Sequence, residues 1–193
     1  MLKRIFHQGK NKAPGPDGYT SWFFRRAWDI VGADFTAAVR YFFTSSTLLP
    51  AFNATSITLV PKIANACSAK DYRPISCCSV IYKAITKILV ERLNVVLPSL
   101  ISPIQSAFIK GRSIVDNTLL VQELVKGYGR SMISPRCALK VDLQKAFDSL
   151  SWDFLVKVLE AIGLPAQFRE WIRVCFTGSR FSISLNGSLV GVF

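Results

Sequence analysis

Apolar and polar positions change period several times along the chain, and each change marks an element. Ile81, Ile85, Ile88, Leu89 and Leu93 recur at helical spacing. Lys83, Lys87 and Glu91 line the other side, so 78–97 is predicted as a helix, with Pro98 bounding the next loop. Phe154, Leu155, Val158, Leu159 and Ile162 form a second stripe behind a capping Ser151, ended by Gly163 and Pro165. Phe168, Trp171, Ile172 and Cys175 give a third over 166–177. Further helices are expected from Thr20 or Ser21 to about Val31, from Asp34 to about Thr44, and over 114–126. In two places strict alternation replaces the helical period. Ile57, Leu59 and Pro61 against Thr58 and Val60 predict a strand over 55–62, followed by a loop through Pro74. Leu139, Val141 and Leu143 against Lys140 and Asp142 predict another over 137–143. Two β-rich runs around Asn186-Gly187 read as a hairpin. GKNKAPGPDG, 9–18, is a loop, because its prolines fix φ and its glycines admit positive φ.

Composition narrows the function classes. Half of the 193 residues are apolar and 14 are Phe, which is the make-up of a folding chain. Lys plus Arg outnumber Asp plus Glu by 24 to 12. A net charge of +12 points to a polyanionic partner, most economically nucleic acid, with a basic solvated surface as the alternative. Five cysteines without CxxC spacing and the single His7 argue against a disulfide framework or a Cys/His metal site. They read as buried thiols in a reducing compartment. MLKRIFHQGK lacks the apolar core of a signal peptide, and no apolar stretch is long enough to span a membrane. An intracellular protein, nuclear or cytoplasmic, is therefore expected.

Asp142 poses the sharpest chemical question. An acidic residue inside an apolar, alternating run either faces solvent or is held rigidly to ligate a metal ion. Lys83 and Lys87 carry a similar ambiguity, between a solvated helix face and contact with a phosphate backbone. Asp148 and Asp153 read as a turn residue and a first-turn helix charge.

Six stretches in order decide between these readings: NKAPGPDGYT (11–20), ITLVPK (57–62), KDYRPISCCSVIYKAITKILVERL (70–93), ISPIQSAFIKGRSIVDN (101–117), LKVDLQKAFDSLSWDFL (139–155) and SISLNG (182–187). Together they resemble the reverse transcriptases of LINE-type, non-LTR retrotransposons, most nearly those of plants. The resemblance implies an α+β right-hand polymerase fold. Residues 1–54 would be an N-terminal extension, 55–135 the fingers and 136–193 the first part of the palm, with the thumb absent. It implies an RNA template, a DNA primer, deoxynucleoside triphosphates and two Mg²⁺ ions as partners and cofactors. No membrane partner is implied, and the oligomeric state is left open. By the same resemblance, Asp142 and the backbone carbonyl of Leu143 would ligate metal, with Asp142 catalytic. Lys62 and Arg73 would neutralise the triphosphate, and Phe147 would exclude a 2′-hydroxyl. Lys110 and Arg112 would contact template phosphates. Gln105 has no assignable role. The family's pattern continues into a strand pair bearing adjacent aspartates, and no Asp-Asp dipeptide occurs in these 193 residues. The expectation is a polymerase fragment, inactive alone, or a nucleic-acid-binding remnant.

Overall fold

The structure, a computed structural model, describes residues 12–129, 137, 139–143, 145–146, 149–185 and 187–191. Two compact units divide the chain: Met1–Val90 with Leu164–Phe193, and Glu91–Gly163.

In the first unit, α1 (Ser21–Arg26) starts where the Thr20 side chain accepts from the Phe23 N–H. After Ala27, α2 runs over Trp28–Ser45. The expected break near Val31 to Asp34 therefore falls at Ala27. Gly32 sits inside α2, where the Trp28 indole one turn earlier lies over its backbone. A Cβ there would stand 2.8 Å from the ring, so glycine serves a contact rather than a break. Strand β1 (Ala54–Pro61) matches the alternation over 55–62. Strand β2 (Tyr72–Cys78) falls partly where a loop was expected. Pro74 argued against a strand, but β2 lies at the sheet edge, where one side has no ladder and proline is tolerated. Helix α3 (Val80–Leu100) buries Ile85, Ile88 and Leu89 as the stripe required.

The sheet order is β2-β1-β3-β4, with β3 Arg180–Leu185 and β4 Ser188–Val190. β1 pairs antiparallel with β2 and parallel with β3. β3 and β4 close the expected hairpin, with Leu185 opposite Ser188. This sheet joins residues 54–78 to residues 180–190, across the anticipated boundary between fingers and palm.

The core explains why the N-terminal stretch belongs to the unit. Phe35, Val39 and Phe42 of α2 pack with Val80, Ala84, Ile85, Ile88 and Leu89 of α3 and with Cys175 of α6 (Ala166–Thr177). Tyr82 fastens α3 to α6 by donating to the Cys175 carbonyl at 3.0 Å. Burial pushes the Tyr82 phenol and the Cys175 thiol each up to about 12, so both stay protonated and inert at neutral pH. The PGPDG loop seats on the start of α3, where a Cβ on Gly15 would meet the Ser79 backbone nitrogen at 2.6 Å. Only glycine allows that approach.

The second unit holds α4 (Ile114–Val125), capped by Ser113, and α5 (Trp152–Ala161), capped by the expected Ser151. The expected strand over 137–143 is not formed: residues 137 and 139–143 have no strand pairing. Leu139, Val141 and Leu143 are 85%, 68% and 73% exposed, so their alternation buries no face. Alternation makes a strand only where a neighbour completes the hydrogen-bond ladder, and these residues pair with no strand among the described residues. Cys77 and Cys175 are buried as expected, whereas Cys67 and Cys137 are exposed. No helix of the described residues is long and apolar enough to cross a membrane.

Candidate nucleotide and nucleic-acid interface

The ribbon of β1 and β2 carries Lys62 and Arg73 on one face. Val60 pairs with Arg73 and Pro61 with Tyr72, and the Lys62 N–H donates to the Asp71 carbonyl at 2.7 Å. Lys62 is two residues beyond Val60, so it shares the face of Arg73. Both side chains are exposed, and Lys62 Nζ donates to the Lys70 carbonyl at 2.6 Å. The turn between the strands is built by Asp71, whose Oδ2 accepts from the backbone N–H groups of Cys67 and Ser68. A braced turn holds two cations on one side of a ribbon, a geometry suited to phosphate oxygens.

Lys83 is half-buried, and its Nζ donates to the Ala13 carbonyl at 3.3 Å, tying the N-terminal loop to α3. Lys87 is also half-buried on the same helix. Lys110 is exposed in the loop before α4.

Arg112 has a different environment from the one expected. Its guanidinium donates to four backbone carbonyls: Pro98, Ile101, Ser102 and Gln105, at 2.5 to 3.0 Å. These include the end of α3, which continues through Pro98 to Leu100 instead of stopping before it. Proline removes one helical hydrogen bond, and terminal carbonyls lack intrahelical partners. The Arg112 fork supplies donors to terminal carbonyls, those of Pro98 and Ile101 among them, so its N–H groups hold the loop 101–112. Replacing Arg112 with alanine is expected to lower stability by about 1–3 kcal/mol. The salt dependence of RNA affinity should stay as in the parent chain, because no phosphate contact is lost. Denaturant midpoints and salt titrations check both; a reduced salt slope with unchanged stability would restore the template role.

Asp142 and Leu143 are exposed in the unpaired segment, and Phe147 lies outside the described residues, as does Asp148. Among the described residues no group of three metal-ligating side chains comes together. Asp142 with the Leu143 carbonyl leaves most of an octahedral magnesium shell to other donors. This donor set alone does not fit two Mg²⁺ ions. Glu170 is engaged elsewhere: Arg173 holds its carboxyl below the usual range through a 2.6 Å contact.

Residues 60–192, which include the Lys62–Arg73 ribbon, match the family Reverse transcriptase (RNA-dependent DNA polymerase). The chain belongs to the reverse transcriptase family. The match also spans Asp142 and the β3–β4 hairpin, while the core it relies on reaches back to Phe35. Among similar proteins, the "Transposon TX1 uncharacterized 149 kDa protein" of Xenopus laevis is 32% identical over 179 residues, 93% of this chain and 14% of that protein. The "Retrovirus-related Pol polyprotein from type-2 retrotransposable element R2DM" of Drosophila melanogaster is 28% identical over 92% of this chain and 16% of its own length. A Pol polyprotein from type-1 element R1 of Bradysia coprophila is 29% identical over 78% of this chain and 15% of its own. The chain thus spans about a seventh of the length of these curated relatives. They agree with the resemblance to non-LTR elements read from the motifs.

Proposed function

We propose that this chain is the fingers and first palm segment of a retrotransposon's RNA-directed DNA polymerase, and that its own capacity is to hold RNA and RNA–DNA hybrid. The observation that carries this is the family match over 60–192, which includes the braced Lys62–Arg73 ribbon. In the parent enzyme Lys62 and Arg73 would take the triphosphate, the first as a point charge and the second as a planar fork. Phe147 would bar a ribose 2′-hydroxyl by steric contact, and Asp142 with the Leu143 carbonyl would contribute to metal binding. Magnesium would supply activation of the primer 3′-hydroxyl, and Asp142 with the Leu143 carbonyl would need further donors to hold two ions. Lys83, Lys87 and Lys110 would add charge along the nucleic acid. The affinity to plant elements rests on the motifs alone, since the relatives named above come from a frog and insects.

Binding to labelled RNA is expected to weaken steeply with salt and to depend little on sequence. Three engaged cations, Lys83, Lys87 and Lys110, would give a slope of log affinity against log salt of about −2 on a single strand. Affinity that stays flat from low to physiological salt overturns the proposal.

A further inference from the structure

Two consecutive alanines, Ala37 and Ala38, leave space on the flank of α2, and the loop that follows the helix does not fill it. Between α2 and residues 47–52 lies a cavity of about 400 Å³. It reaches the core, because the buried Phe42 is part of its lining. Tyr41 walls it from the helix, and Leu48, Leu49 and Phe52 wall it from the loop.

The two walls are anchored separately. Ser46 ends α2 in the left-handed region, at φ 54°, and its N–H donates to the Phe42 carbonyl, which turns the chain back. The Phe52 and Asn53 N–H groups both donate to the Leu49 carbonyl, at 2.9 and 3.2 Å. The buried Ser79 hydroxyl then fixes the Phe52 carbonyl at 2.7 Å, which ties the loop to the start of α3. The helix itself is held in the core by Phe35 and Val39. Walls fixed in this way resist closing on the space, so a ligand would enter a preformed site at little cost in ordering.

The chemistry of the lining selects the ligand. Every lining residue is uncharged, in a chain whose net charge is +12. A phosphate or carboxylate placed there would lose hydration with no cation to replace it. An uncharged ligand avoids that loss and gains the burial of its own carbons. The rings of Tyr41, Phe42 and Phe52 suit a flat aromatic body, and the volume has room for roughly two rings. The side-chain polar groups of the lining are the hydroxyls of Tyr41 and Thr47. Thr47 Oγ1 donates to the Ser45 carbonyl at 3.3 Å, which leaves its lone pairs to accept.

We propose that this pocket binds an uncharged aromatic small molecule of about two rings, with a hydroxyl that donates to Thr47. Its ligand differs in class from the nucleotides and nucleic acid of the proposed function. Among the described residues, none of the Lys62–Arg73 ribbon lines it.

The test titrates 4-phenylphenol into the full chain and follows it by ligand-observed NMR. Saturable one-to-one binding is expected, with a dissociation constant on the order of 100 μM. Ala37→Leu combined with Ala38→Leu fills the cavity with good helix formers and should weaken binding about tenfold or more. Leu49→Gln, at an exposed position of the rim, should weaken it about threefold and serves if circular dichroism shows the double variant unfolded. Ala69→Leu, the same change at an exposed site between β1 and β2, should bind as the parent does. Biphenyl-4-carboxylate should bind about tenfold more weakly than the phenol. Absence of saturable binding by the parent overturns the proposal, as does parent-like affinity in either folded cavity variant. Equal or tighter binding of the carboxylate overturns the ligand class.

Discussion

Given a primed RNA template, Mg²⁺ and deoxynucleoside triphosphates, the 193-residue chain by itself is expected to leave the primer unextended. Two-metal nucleotidyl transfer needs carboxylates that hold two divalent ions about 4 Å apart. The described residues bring no three ligating groups together, and the sequence contains no Asp-Asp pair. Asp142 is one carboxylate in an exposed segment, and among the described residues no strand ladder fixes its geometry. Positioning and electrostatic stabilisation supply most of the rate in this chemistry, and losing both costs many orders of magnitude. Primer extension on a sequencing gel decides the matter. Template-dependent product that disappears in Asp142→Ala would overturn the expectation and make Asp142 catalytic in the isolated chain.

Phe42→Ala is expected to destabilise the chain by about 3–5 kcal/mol. Phe42 is 1% exposed and sits where α2 meets α3 and α6, with its ring 5.1 Å from that of Phe43. Truncation removes a whole ring from a close-packed interior, and the helices cannot close the space without losing their other contacts. Against a typical stability of about 5–15 kcal/mol, this is enough to unfold a marginal chain. Ile30→Ala on the same helix, at 82% exposure, should change stability by less than about 0.5 kcal/mol. Urea denaturation of both variants provides the comparison. A loss below about 1 kcal/mol at Phe42 would mean that α2 is an appendage and not part of the core.

The sequence by itself determined the elements whose signals are local. The stripe of Ile85, Ile88 and Leu89, the Ser151 cap, the α6 face and the Asn-Gly hairpin all report on neighbours within a few residues, and all stand in the structure. The family, too, was legible, because six motifs in order carry it. Lys62 and Arg73 were legible as cations, though not that one ribbon face would present both. What depends on distant partners was not legible. Leu139, Val141 and Leu143 have strand alternation but pair with no strand among the described residues, and alternation cannot supply a ladder. Pro74 concealed β2, since only the sheet order shows that strand to be an edge. Arg112 looked like a free cation until the fold brought four carbonyls to its guanidinium. The parallel pairing of β1 with β3 joins residues more than a hundred positions apart in the chain. No local pattern encodes a pairing at that separation, and the pairing alone placed Ser56 and Thr58 beside Ser182 and Ser184.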